Sequence, residues 1–227
     1  MRKLLLLLSI SIYWLSNNKL YAQNEPQLVS DINKKIGNIG SSPNALTNVN
    51  GILYFAVDDG VNGKELWKYD SSANSAVMVK DIYSGSLGSS PSNLTNINGV
   101  LFFAAYDGIH STELWKSNGT ESGTVMVKDI ATGSGSFGSV PSNLTNVNGI
   151  LYFSANDGIH GAELWKSDGT ESGTTMVKDI AMGSLFYLES YPSNLTNVNG
   201  VLYFQANDSI HGIELWKSDG TEAGTIM

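Results

Sequence analysis

The chain contains no cysteine in its 227 residues. This excludes disulfides, thiolate metal sites and a lipid-anchored lipoprotein start, so packing alone must hold the fold. Charge is also scarce, at 15% of residues against 41% hydrophobic, and 24 glycines suit a turn-dense β protein better than helices. Bases are fewer than acids, 13 against 21. A surface of that sign repels phosphates, so neither nucleic acid nor anionic membrane is an expected partner. It is compatible with divalent cations or neutral glycans, and its plainest use is solubility outside the cell. Beyond residue 22 there is no long apolar run and no sustained 3.6-residue apolar periodicity, so neither a second membrane candidate nor a helical repeat is expected.

Residues 1–22 stand apart. Arg2 and Lys3 precede an apolar run from Leu4 to Leu15, and a polar stretch then leads to Tyr21-Ala22 before Gln23. That order predicts a secretory signal peptide, with a run too short for a comfortable span. Leu20 departs from the small residue preferred three positions before the cut. Cleavage would leave 10 bases against 21 acids, a balance of −11. The expected location is secreted or cell-surface, with no membrane span after cleavage.

What the chain has in abundance is repetition. Glu65-Leu66-Trp67-Lys68, Glu113-Leu114-Trp115-Lys116, Glu163-Leu164-Trp165-Lys166 and Glu214-Leu215-Trp216-Lys217 recur at spacings of 48, 50 and 51 residues. From Pro43, Pro91, Pro141 and Pro192 to the tryptophan is always 24 residues, and from Trp67, Trp115 and Trp165 to Asp81, Asp129 and Asp179 is always 14. All variation falls between that aspartate and the next proline, at 10, 12 and 13 residues. A rigid unit therefore alternates with an elastic connector, since packed units resist insertion and surface segments tolerate it. The division is 1–22 signal peptide, 23–42 N-terminal strand and connector, 43–90, 91–140 and 141–191 complete repeats, and 192–227 an incomplete fourth.

Within 141–180, Leu144-Thr145-Asn146-Val147 is followed by Asn148-Gly149, a hairpin turn signal because both positions need positive φ. Ile150-Leu151-Tyr152-Phe153-Ser154-Ala155 is apolar on both faces, as a doubly covered strand would be. Asn156-Asp157-Gly158 turns the chain into Glu163–Ser167, and Asp168-Gly169-Thr170 turns it into Thr175–Ile180. Four short strands repeated about every 40 to 50 residues predict an all-β, β-propeller-like array of four-stranded antiparallel blades. A β-solenoid usually repeats at half this length or less. Residues 27–32 resemble the fourth strand and would complete the last blade if the array closed on itself. A truncated frame is the other reading of the same ends.

Glu163-Leu164-Trp165-Lys166-Ser167-Asp168-Gly169-Thr170 and Glu214-Leu215-Trp216-Lys217-Ser218-Asp219-Gly220-Thr221 resemble the repeat known as ELWxxDGT. Asn118 replaces the aspartate in the second repeat, and the first reads Tyr69-Asp70-Ser71-Ser72. The resemblance covers residues 43–227. It implies a secreted or surface-displayed bacterial protein, often of Bacteroidetes type, with propeller-like repeats and no catalytic residues to carry over.

Candidate chemistry is repetitive too. Trp67, Trp115, Trp165 and Trp216 would offer platforms for sugar rings, but such a tryptophan more often fills the layer between blades. His110, His160 and His211 lie five residues before their tryptophans, with Asn62 in the first repeat, and read as loop residues. Asp107, Asp157 and Asp208, with Asp58, Asp59, Asp168 and Asp219, are the candidate calcium ligands; aspartate before glycine equally serves as a turn former. No loop has a full calcium-binding spacing. Every carboxylate and histidine recurs blade after blade, whereas an active site needs an unlike constellation. These readings lead to the expectation of a non-enzymatic scaffold without a required cofactor. It would bind extracellular protein or glycan through repeated loops, or serve as a structural module or a calcium-stabilised lectin-like propeller.

Overall fold

The computed structural model describes residues 28–33, 40–72, 74–132, 138–181 and 189–227. The signal-peptide residues and most of the longer connector at 185–189 lie outside the described residues. Residues 28–31 belong to a first unit, Met1–Asp31, and every described strand belongs to the second, Ile32–Met227.

That second unit is a succession of antiparallel meanders. Blade 1 is β1 (Asn44–Val49), β2 (Ile52–Asp58), β3 (Lys64–Asp70) and β4 (Ser75–Lys80). Blade 2 is β5 (Ser92–Ile97), β6 (Val100–Tyr106), β7 (Thr112–Ser117) and β8 (Val125–Lys128). Blade 3 is β9 (Ser142–Val147), β10 (Ile150–Asn156), β11 (Ala162–Ser167) and β12 (Thr175–Lys178). Blade 4 has β13 (Ser193–Val198), β14 (Val201–Asn207) and β15 (Ile213–Ser218), plus a single bridge from Lys217 to Ile226 where the fourth strand sits elsewhere. The fold is all-β and propeller-like, as the period predicts. Residues 28–33 form no strand, which corrects the expectation that they take the fourth-strand conformation.

The predicted Asn-Gly turns carry the first hairpin of each blade. In blade 3, Asn148 and Gly149 have φ of 52° and 85°, and the Asn146 side chain accepts the Gly149 N–H at 2.8 Å. Positive φ at both positions matches the turn twist to the strand twist. A register shift follows inside each first strand, at Ala45, Asn93, Asn143 and Asn194, all with φ near 55°. Asn93 and Asn143 then reach the next blade, donating to the Pro141 and Pro192 carbonyls. Both asparagines thus tie neighbouring blades.

The core lies between blades, one blade's face against the opposite face of the next. Val49, Tyr54, Leu66 and Val79 pack on Leu101, Phe103, Ala105 and Trp115. Ile97, Phe102, Leu114 and Val127 pack on Leu151, Phe153, Ala155 and Trp165 in the same way. Val147, Tyr152, Leu164 and Val177 repeat the arrangement on Leu202, Phe204, Ala206 and Trp216. The second strands of blades 2 and 3 are therefore buried on both faces because a neighbouring blade covers each face.

Candidate functional site

Side-chain alternation splits the Glu-Leu-Trp-Lys segment between two interfaces. In blade 2 the cross-strand pairs Ala105–Glu113 and Phe103–Trp115 put glutamate and tryptophan on one face, leaving Leu114 and Lys116 on the other. Trp115, Trp165 and Trp216 are buried between blades and Trp67 is half-buried, so the interior role wins over the sugar platform. Their indole N–H groups have no partner among the described residues. Lys80 and Lys178 approach the Trp115 and Trp216 rings at 6.0 and 5.9 Å.

The glutamates are fully buried in blades 1 to 3 and clasp the connector that leaves their own blade. Glu65 accepts from the Ile82, Tyr83 and Ser89 amides and from the Ser89 hydroxyl at 2.6 Å. Glu113 does the same with Ile130, Ala131 and Ser139. Glu163 accepts from the Ile180 and Ala181 amides and the Ser190 hydroxyl. Each serine carbonyl then receives an amide from the next blade: Tyr106 on Ser89, Asn156 on Ser139 and Asn207 on Ser190. The glutamate thus ties two blades through one serine. Desolvation pushes all three carboxyls above the usual range, Glu163 to about 7.

The lysines form a second tie, which sequence reasoning missed. Lys68, Lys116 and Lys166 donate to the Gly119, Gly169 and Gly220 carbonyls of the following blade, each at 2.8 Å. Lys80, Lys128 and Lys178 do so to Thr124, Thr174 and Thr225 at 2.9 Å. The signal was present, since lysine recurs at the first position in all four repeats and at the second in the three complete ones.

The aspartates fall into two sets of turn residues. Asp168 accepts from the Thr170 amide and hydroxyl; Thr170 Oγ1 accepts from Gly173, and the buried Ser167 and Thr174 hydroxyls close the loop at 2.7 Å. Asp219, Gly220 and Thr221 repeat this around Ser218 and Thr225. The Thr170 hydroxyl and amide hold the Asp168 carboxyl below its usual range.

In the loop between the second and third strands, Asp107 accepts the Ile109 and His110 amides, while its other oxygen meets His110 Nδ1 at 2.7 Å. Asp157 with His160, and Asp208 with His211, repeat the clasp. Burial opposes ionisation of Asp107 and Asp157, but these bonds outweigh it and lower both carboxyls. The His211 ring bond lowers Asp208 to about 2, and the paired histidines are raised in turn, chiefly by the aspartate bond. Asn62 makes the same bond to Asp59 at 2.8 Å, so a loop clasp rather than a base explains this position. The structure brings none of Asp107, Asp157 and Asp208 together, and no group of three or more metal-ligating side chains occurs among the described residues. What the loops do expose is a row of aliphatics: Ile109, Ile159 and Ile210 at 83, 82 and 81%, with Val61 in blade 1.

One interface breaks the symmetry. Tyr54 and Tyr152 point their hydroxyls at Gly119 and Gly220, but Phe102 faces Gly169 with nothing beyond Cζ. A cleft of about 190 Å³ opens there, lined by Asn98, Phe102, Lys116, Asp168 and Gly169 among others. Ligand pockets usually begin at about 300 Å³, so this one fits a few waters or a very small polar molecule.

No protein-family model matches the chain, and no curated protein sequence does. Solved structures do. A puromycin hydrolase is similar at a TM-score of 0.52 and 13% identity, over 80% of this chain and 29% of that one. Prolyl endopeptidases studied for inter-domain dynamics in catalysis and specificity are similar at 0.50 and 9% identity, over 78% and 24%. An endo-1,4-beta-xylanase from Bacteroides thetaiotaomicron is similar at 0.40 and 16%, over 82% and 71%. The chain thus spans under a third of the first two. Likeness at these identities shows the fold alone. The expectation of a non-enzymatic binding scaffold is corrected by this finding, because the structures sharing the blade array are enzymes. The physical reason is that blade symmetry describes the framework; it is silent on chemistry performed where blades meet other parts of an enzyme.

Proposed function

We propose that the chain is the propeller portion of a hydrolase, its exposed loop row seating the part of the enzyme that carries the reacting groups. The observation that carries this reading is the row itself. Ile109, Ile159 and Ile210 are almost fully exposed, yet each is fixed by an aspartate clasp on its own blade. Equivalent loops that each present a large aliphatic on an ordered backbone would add their contacts to one partner surface. Likeness to hydrolases of which the blades cover 29 and 24% supports the reading. On the same reading the protein is exported through residues 1–22, and the recurrent motif supports a kinship with ELWxxDGT-repeat proteins.

The test is to capture the native protein from its source cells with an antibody to the blades. The expected product carries amide-, peptide- or glycoside-hydrolysing activity in a polypeptide or complex well above 24.4 kDa. A product of that mass without hydrolytic activity overturns the proposal. Replacing Ile109, Ile159 and Ile210 together by serine should release the reacting part while leaving the blades' melting temperature unchanged.

A further inference from the structure

The cleft between blades 2 and 3 keeps the surroundings of its neighbours and changes the filling. Tyr54 pairs with Lys68, Phe102 with Lys116 and Tyr152 with Lys166 across their strands, so ring and lysine stand side by side on one face. Each of these lysines holds a glycine carbonyl of the following blade. The Tyr54 and Tyr152 hydroxyls reach to 2.2 Å from where a Cβ on Gly119 or Gly220 would stand. Phe102 ends at Cζ, 3.0 Å from the same point on Gly169. What a phenol oxygen fills at the other two interfaces is here part of a cleft of about 190 Å³. A cavity of about 150 Å³ is enough to admit benzene, so this volume takes a molecule of a few heavy atoms.

The lining decides the chemistry. Lys116 supplies donors only, one of them spent on Gly169, and the Asp168 carboxylate supplies acceptors only. One ammonium and one carboxylate cancel, so an anion is opposed by Asp168 and a cation by Lys116. The carboxylate acts on the position that the phenol oxygen takes elsewhere. Burial and then Asp219 raise the Tyr152 phenol, whereas Tyr54, facing the turn that carries Asn118, is raised by burial alone. Ile97, Val100 and Phe102 give the cleft an apolar wall. A hydroxyl both donates and accepts, so a short carbon chain with adjacent hydroxyls matches the ammonium, the carboxylate and the wall together.

We infer that this cleft is a binding site for a short neutral polyol. One hydroxyl donates to Asp168, another accepts from Lys116, and the carbon chain lies against Phe102. The bound molecule bridges blades 2 and 3 where a tyrosine hydroxyl fills the space at the flanking interfaces. Phe102 pairs with Lys116 toward the Gly119 turn, while Tyr106 pairs with Thr112 beside the Ile109 loop, so the cleft and the exposed aliphatic row sit at opposite ends of β6. The inference is therefore independent of the hydrolase reading.

The experiment is a titration of the full chain with glycerol, followed by amide NMR. The Ser167 and Gly169 amides should shift and saturate in the millimolar range. The Gly119 and Gly220 amides should stay in place, because Tyr54 and Tyr152 fill their interfaces. Acetate and methylammonium should move none of the four. Phe102→Tyr should abolish the glycerol response. Tyr152→Phe should open a second site beside Asp219, so that Gly220 then responds as Gly169 does. Tyr54→Phe, beside Asn118, should bind on the order of tenfold more weakly, the loss of one hydrogen bond to a carboxylate. Equal shifts at all three glycines, shifts that never saturate, or shifts that survive Phe102→Tyr would be a solvent effect and overturn the inference. So would silence at Gly169, which means that the cleft holds water only, and so would acetate or methylammonium binding where glycerol does not.

Discussion

At the residue scale, the same four letters serve opposite ends of the polarity range because a strand alternates its faces. Glu113 and Trp115 look back at the preceding interface while Leu114 and Lys116 look forward. The glutamate is the unusual member. A fully buried carboxylate is costly unless hydrogen-bonded, and here amides and a serine hydroxyl surround it. Desolvation still raises its pKa, so the folded state binds a proton more tightly than the unfolded chain. The stabilising contribution is therefore complete below the ordinary carboxyl value of 4.5 and is lost as pH rises to about 7 at Glu163. Melting curves of wild type and Glu163→Gln from pH 4.5 to 7 should diverge in slope, the wild type falling and the variant staying flatter. Equal slopes would show that Glu163 titrates in the folded protein as in water. The aspartate clasps act in the other direction: their lowered carboxyls stabilise above the unfolded pKa and lose that contribution in acid.

At the element scale, each blade depends on a turn whose backbone only a few residues adopt. Gly51 and Gly149 have φ of 86° and 85°. A Cβ at Gly51 meets open space, whereas one at Gly149 runs into the Asn98 side chain of the preceding blade. Gly51→Ala should therefore cost only backbone strain, about 1 to 2 kcal/mol, and Gly149→Ala should cost more. Urea unfolding of the two variants checks the order; equal losses would mean that the neighbouring asparagine moves aside freely. The strand pattern and the Asn-Gly turns were legible because they are local. The register shifts at Asn93, Asn143 and Asn194 were not, since their asparagines are fixed by the first strand's pairing and, at Asn93 and Asn143, by the next blade.

At the scale of the whole molecule, stability is assembled between neighbours. Leu114 and Leu215 occupy the same motif position, yet one is fully buried and the other 67% exposed. Leu114→Ala should cost about 2 to 5 kcal/mol through lost transfer and cavity terms. Leu215→Ala should stay within about 0.5 kcal/mol at concentrations where the chain is a single copy. Matching losses, measured by chemical unfolding, would mean that the face of blade 4 is covered.

The sequence by itself determined the period, the four-strand blade, the turn positions and the interior role of the tryptophans. Each of these follows from alternation, turn chemistry and regular spacing, which are local properties. Only the tertiary structure decided which serine each glutamate takes, which carbonyl each lysine holds, and where Phe102 in place of tyrosine opens a cleft. The glutamate–serine and lysine–carbonyl contacts join residues 24 to 54 positions apart. Identical motifs therefore end in different environments: Glu163 is buried and clasped, and Glu214 is exposed, because burial belongs to the neighbour and not to the motif.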